Sequence, residues 1–267
     1  MSEEDLNLLL MLLTQASIAF ESAYLSQIQR DRMRRLYRAE RLATVGQLAA
    51  SVAHEIRNPM TAIRSTVQYL LREFGDNSPK RELAQGVIAE VDRIDRIVDG
   101  LLSLTRRTEF TPVKVSIAQL IGQSLLLIRT QAQEQAIEIL WEGPPQDVYV
   151  MADAAQLKQL ALNLVMNAMQ AMPNGGRLRI DLNIRSQALE LSGENEWAVM
   201  SITDTGCGIP PEILDRVFDP FFTTKPGGTG LGLSTCYAIA RQHNGDLEIS
   251  SRENKDTTVN VRLPLAR

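Results

Sequence analysis

From Glu3 to Phe74 the chain carries one glycine, Gly46, and one proline, Pro59, before the break Gly75-Asp76-Asn77-Ser78-Pro79. A run so free of breakers predicts one long helix, bent at Pro59. Within it Leu42, Val45, Ala49, Val52 and Ile56 recur at alternating spacings of three and four, the seam of a heptad pattern. After the turn, Ser78-Pro79 opens a second helix reaching about Thr108. Its apolar positions Val87, Val91, Ile94, Val98, Leu101 and Thr105 keep the same rhythm. Two seamed helices joined by a short turn form an antiparallel hairpin. One hairpin cannot enclose its own seam, so two copies are expected to pair into a dimeric four-helix bundle.

Beyond Thr108 the period changes. Residues 110–115 read as extended and Ile117 to Gln135 as a helix. Ile137 to Trp141 and Val148 to Met151 read as strands around Gly143-Pro144-Pro145. Asp153 to Met172 reads as a helix opened by an Asp153/Gln156 capping-box pattern. Arg177 to Arg185 alternates as a strand, and Trp197 to Thr203 is another. Gly232 to Gln242 is a helix, followed by strands at Asp246 to Ser250 and Thr257 to Leu263. This half therefore predicts an α+β sandwich, a mixed sheet with helices on one face. The expected parts are residues 1–37, an N-terminal signalling helix; 38–108, the dimerising hairpin; and 109–267, the sandwich.

The stretch Leu6 to Phe20 is apolar but interrupted by Asn7, Thr14, Gln15 and Ser17, short of the ~20 apolar residues that a membrane span requires. It is expected to bury its apolar face against a partner chain or a domain outside this chain, leaving no membrane segment here. The arginines from Arg30 to Arg41 are interrupted by Asp31 and Glu40 and read as a solvated coiled-coil face. With a net charge of −4, bulk electrostatics argue against nucleic-acid binding. Two cysteines, Cys207 and Cys236, make neither a disulfide framework nor a metal-ligand spacing, so a reducing, cytoplasmic setting is expected.

The chain has two histidines. His54, in His54-Glu55-Ile56-Arg57-Asn58-Pro59, lies two residues from both Val52 and Ile56, about 200° around the helix from each. It therefore points away from the seam, as a reactive side chain would. His243 ends a helix, where an imidazole meets the last carbonyls. Asn163 and Asn167 share one face of the helix that starts at Asp153, where asparagine is unfavourable by propensity. Amide oxygens there suit Mg²⁺ held together with phosphate. Asp204-Thr205-Gly206-Cys207-Gly208 follows a strand, and its carboxylate can accept from an exocyclic amine. Gly227-Gly228-Thr229-Gly230-Leu231-Gly232-Leu233 leads into a helix whose amides suit phosphate. Between them, Phe218 to Lys225 reads as a hinged lid carrying a cation.

Taken jointly and in this order, these segments resemble a sensor histidine kinase of two-component signalling with a GHKL-type ATP-binding domain. His54 to Pro59 is similar to the phosphoacceptor box and Asn163 to Ala168 to the N box. Asp204 to Gly208 resembles the first glycine box, Phe218 to Lys225 the phenylalanine box, and Gly228 to Leu233 the second glycine box. The resemblance implies an ATP- and Mg²⁺-dependent kinase that phosphorylates itself on His54, with Glu55 as general base. It implies transfer to an aspartate of a response regulator, with Asn58 orienting a water for dephosphorylation. It implies that Asn167 holds the metal with Asn163 nearby, and that Asp204 reads adenine. Gly206, Gly208, Lys225, Gly228, Thr229, Gly230, Leu231, Gly232 and Thr258 complete the implied nucleotide site. One departure is Asp256, where the family often has glycine before its Thr-Thr pair. The helix from Leu6 to Tyr24 resembles one leaving an upstream sensory domain, leaving two readings: a fragment, or a kinase that takes its input from a partner.

Two rivals are distinguishable. A GHKL ATPase of the chaperone, topoisomerase or mismatch-repair type needs a glutamate in the asparagine helix, and residues 160–170 contain no acid. A degenerate dimeric scaffold would not need the intact His54-Glu55 pair.

Overall fold

The computed structural model describes residues 3–73, 78–103, 110–189, 193–225 and 228–266. Helix α1 (Glu3–Glu73) continues through Pro59. Residues 1–44 and 45–267 separate as two compact units. In the first, α1 leaves Met11, Leu13, Ile18, Phe20, Tyr24, Leu25 and Met33 exposed. Among the described residues no helix is long and apolar enough to cross a membrane.

In the second unit, Ser78 opens α2 (Pro79–Ser103): its carbonyl accepts from the Arg81 amide and its hydroxyl from the Lys80 amide. Arg64 of α1 pairs with Asp92 and Asp95 of α2, and the Arg81 side chain donates to the Leu71 carbonyl. These contacts close the expected hairpin. The seam is only partly as the spacing predicts. Ala84, Val91 and Val98, seven apart, are buried, whereas Val87 is 44% exposed. On α1, Ala53 is fully buried and Ile56 half-buried, while Ile63 and Leu70, in phase with Ile56, are exposed. The side chains of Val52 and Leu101 lie outside the described residues.

The remaining elements build a sandwich: β1 (Val113–Ser116), α3 (Ile117–Glu134), β2 (Ile137–Leu140), β3 (Tyr149–Ala152), α4 (Ala154–Gln170), β4 (Gly176–Leu189), β5 (Gly193–Asp204), α5 (Pro211–Leu214), α6 (Gly232–Gln242), β6 (Asp246–Arg252) and β7 (Asp256–Pro264). Five strands form a mixed sheet in the order β2-β4-β5-β7-β6, with β2 parallel to β4 and the other pairs antiparallel. Strands β1 and β3 form a separate antiparallel pair. Period-two alternation buries Leu178, Ile180, Leu182, Met200, Ile202, Val259, Val261 and Leu263 beneath α3, α4 and α6. The opposite face is polar, with Ser201 bonded to Asn260 and Thr203 to Thr258.

The strands flanking Gly143 have different partners: β2 joins β4 and β3 joins β1. Two sequence expectations change. Strands β4 and β5 run past Arg185 and before Trp197 as a ribbon reaching Leu189↔Gly193. Residues 186–196 are mostly polar, so no apolar alternation announces a ribbon held by ladder hydrogen bonds. Finally, Asp153 caps α4 as expected, accepting from the Ala155 and Gln156 amides. The reciprocal half of the capping box is absent, because the Asp153 amide donates instead to His243 Nε2 at 3.0 Å.

Candidate nucleotide-binding and phosphoacceptor sites

The second half of the chain brings its candidate residues to one end of α4 and α6. Strand β5 ends at Asp204, whose side chain is buried to 4% exposure. Burial pushes its carboxyl up from 3.8 to about 6, against the Gly206 amide that donates to Oδ1 at 2.9 Å and the Lys225 charge. A desolvated carboxylate with one oxygen engaged by its own loop is a strong acceptor for an amine donor.

The loop after Asp204 is fixed by close backbone approach. A Cβ at Gly206 would lie 2.5 Å from the Ala171 carbonyl oxygen, and the Cys207 amide donates to that oxygen. Gly208 has φ +67, and a Cβ there would lie 2.2 Å from the Arg252 carbonyl oxygen. The loop thus wedges between the end of α4 and the β6–β7 turn. Asn254 of that turn donates to the Cys207 carbonyl, and Ser251 Oγ accepts from the Ile209 amide.

Asn167 turns its amide toward the start of α6. A Cβ at Gly232 would sit 3.5 Å from Asn167 Nδ2 and 3.7 Å from Oδ1. Helix α6 begins at Gly232 after Leu231 with no side-chain cap. Its first-turn amides are therefore left for solvent or an anion, with the positive end of the helix dipole behind them. Asn163, one turn earlier, serves the α4–α6 contact: burial pushes the Cys236 thiol up to about 12, against its hydrogen bond with Asn163.

The intervening segment is anchored at both ends. Val217 and Phe218 are buried, Phe218 lying beside Tyr237 of α6. The Phe221 amide donates to the Gly230 carbonyl, and a Cβ on Gly230, at φ +66, would meet Phe221 at 2.4 Å. Lys225 Nζ reaches α4, donating to the Asn167 carbonyl at 3.2 Å and Gln170 Oε1 at 3.1 Å. Burial lowers its pKa, so its ammonium is desolvated beside the Asn167 turn. Gly228 is exposed and Thr229 half-buried, its hydroxyl accepting from the Leu231 amide.

Thr258 pairs with Thr203 on the polar face of the sheet, whereas Thr257 stands opposite Asp204 on the helix-covered face. Successive residues of a strand face opposite ways, so the structure brings Thr257, and not Thr258, beside Asp204. Thr257 and Ser251 share a 2.8 Å hydroxyl contact that ties β6 and β7 behind the Asp204 loop. Sequence reasoning also missed Gln170. Its place three residues after Asn167, on the same helix face, was the available signal.

His54, Glu55 and Asn58 lie on α1, apart in sequence from this cluster. Asn58 is exposed; the side chains of His54 and Glu55 lie outside the described residues. Among the described residues no group of three or more His, Cys, Asp or Glu side chains could hold a metal. The hard-oxygen donor facing the glycine loop is the Asn167 amide, which fits an ion whose other ligands are phosphate and water.

Comparison with known proteins agrees with this arrangement. The family described as "His Kinase A (phospho-acceptor) domain" matches residues 44–110, and the family described as "Histidine kinase-, DNA gyrase B-, and HSP90-like ATPase" matches residues 152–267. Over 237 residues the chain is 36% identical to signal transduction histidine-protein kinase AtoS of Escherichia coli K12, covering 89% of this chain and 38% of AtoS. Sensor histidine kinase ZraS of the same strain is 34% identical over 239 residues, covering 90% of this chain and 49% of ZraS. The chain thus spans under half the length of these curated relatives. Histidine kinase ThkA, solved in complex with response regulator protein TrrA, superposes with a TM-score of 0.59 at 28% identity, covering 86% of this chain and 64% of that one. The chain belongs to the sensor histidine kinases of two-component signalling, carrying the family's phospho-acceptor and ATPase domains in sequence order.

Proposed function

We propose that the chain transfers the γ-phosphoryl group of ATP to His54 and passes it on to an aspartate of a response regulator. The observation that carries this reading is one convergence. Desolvated Asp204, the Asn167 amide, the uncapped start of α6 and the Lys225 ammonium all stand around the same turns of α4 and α6. Asp204 accepts from the adenine amine. Thr229, Gly230, Leu231 and Gly232 present amides to the phosphates, and Lys225 exchanges its α4 partners for phosphate oxygens. Asn167 is the residue that would hold Mg²⁺, which when bound neutralises charge on the phosphate oxygens. On the acceptor side, a ring nitrogen of His54 forms the new P–N bond as the bond to ADP breaks, and its proton passes to the Glu55 carboxylate. Asn58, about 40° around α1 and one turn along from His54, orients a water that hydrolyses the phosphorylated regulator.

The working form is a homodimer, supported by the exposed apolar positions Ile63, Leu70, Leu83 and Val87 on the hairpin. The domain limits are 1–37, 38–108 and 109–267, and the compartment is the cytoplasm, where ATP and receiver domains are found. The regulator as partner is supported by the ThkA–TrrA complex. Incubating the whole chain with γ-labelled ATP and Mg²⁺ tests the reading. The label should be acid-labile and base-stable, and absent from His54→Gln. Label retained in His54→Gln, or none on the natural chain, would overturn it.

A further inference from the structure

We propose that His243 is a positioning residue on which the linker between the phosphoacceptor hairpin and the ATPase domain is seated through Phe110, tying that linker to both helices of the nucleotide site. The ring is buried to 3% exposure. Its Nε2 lies 3.0 Å from the Asp153 amide and its Nδ1 2.8 Å from the Ile239 carbonyl oxygen. A backbone N–H only donates and a carbonyl only accepts. The ring is therefore neutral, with its proton on Nδ1 and its Nε2 lone pair turned to the start of α4. The connection displaces an expected local one: the Asp153 amide is lost to Gln156, whose Oε1 is buried without a partner.

The third contact of the ring is with the linker. Phe110 meets it in a T-shaped arrangement, centroids 4.9 Å apart and planes at 79°. Phe110 follows α2 and stands three residues before β1. Helices α4 and α6 run in opposite directions, because Asp153 adjoins His243 at one end while Asn167 adjoins Gly232 at the other. His243 therefore closes the far end of the helix pair whose near end forms the nucleotide site. Helix α6 is about 16 Å long at 1.5 Å per residue. A displacement of its first turn by bound phosphate moves its last turn as one body. The Nδ1–Ile239 bond fixes the ring to that turn, and Phe110 rests on the ring. Nucleotide binding is thereby linked to where the ATPase domain is held on its tether.

The mechanistic half of this inference rests on the kinase reading; the geometric half does not, so the test has two arms on the whole chain. The first is nitrogen-detected imidazole NMR. With two histidines in the chain, removing His54 assigns the spectrum. His243 should show the Nδ1–H tautomer, its ring shifts should move on saturation with an ATP analogue, and Phe110→Ala should perturb them. An Nε2–H ring, or one indifferent to nucleotide, would overturn the seat whatever the enzyme does.

The second arm measures the rate of His54 labelling against ATP concentration. Phe110→Ala should lower the limiting rate by about tenfold or more with KM for ATP within about twofold, because docking geometry is lost and not nucleotide contact. Phe110→Trp should recover most of it. His243→Gln should not add to the loss in the double variant, since both act through one contact. An unchanged rate in Phe110→Ala, a matched rise in KM, or additive losses would each overturn the coupling. A natural chain that never labels would refute the kinase reading while the NMR arm still decides the seat.

Discussion

Asp204→Asn should make the chain more stable and a poorer nucleotide binder at once. Burial raises the carboxyl from 3.8 to about 6, so the folded state holds the proton more tightly than the unfolded one. The favourable contribution of this group is fully present below pH 3.8 and is lost as pH rises through about 6. At pH 8 the folded chain carries a desolvated charge costing about 3 kcal/mol at ~1.4 kcal/mol per unit. Residual solvent contact reduces the expected effect to roughly 2 kcal/mol. Asparagine removes the charge and keeps an oxygen for the Gly206 amide. Urea unfolding at pH 8 should show Asp204→Asn more stable by roughly 2 kcal/mol, and the gain should vanish near pH 4. Calorimetric titration should show the nucleotide Kd weakened by roughly ten- to a hundredfold, the worth of a hydrogen bond to a charged group. A variant no more stable than the natural chain at pH 8, or a gain that persists at pH 4, would refute the claim that this carboxylate is held charged at a cost for the sake of its ligand.

Other outcomes follow from the same geometry. Gly208→Ala places a Cβ against the Arg252 carbonyl at positive φ and should cost about 1–3 kcal/mol in a urea titration, with Gly230→Ala behaving alike. Cys207 is exposed and Cys236 buried with its thiol pushed up to about 12, so a chromogenic disulfide should titrate one thiol in the native chain and two in denaturant. Burial holds the His243 pKa below its ordinary value, so the unfolded chain takes up this proton first as pH falls. Its contribution to stability is complete above about pH 6.5 and lost as pH falls through the folded value. In Asp204→Asn, where the opposing group is gone, that loss should appear as pH falls below about 6.5 and be absent when His243→Phe is added.

What was legible in the sequence divides along a physical line. Helices announce themselves through many residues at once: the seam of α2 and the capped start of α4 need no partner to be recognised. Among the polar candidates, Asn167 stood out because asparagine is unfavourable in mid-helix, whereas Asp204 and Lys225 stood out through the glycine and phenylalanine segments they adjoin. Strands gave less. The alternation found β4, but Asp204 and its neighbouring threonine are related by register, and register is set by pairing that one strand does not encode. The ribbon beyond Arg185 left no hydrophobic trace, since hydrogen bonding to a partner strand asks nothing of side chains on a solvated face. His243 was the hardest case. Its local signal, a histidine at a helix end, is satisfied by an ordinary contact with the Ile239 carbonyl, and that contact exists. The second nitrogen's partner lies 90 residues away, at a cap that by spacing should have closed on itself. Local rules therefore explained half of the ring's bonding and concealed the other half. A residue with one local and one distant partner is read from sequence as having only the first, and its long-range role appears when both nitrogens are accounted for together.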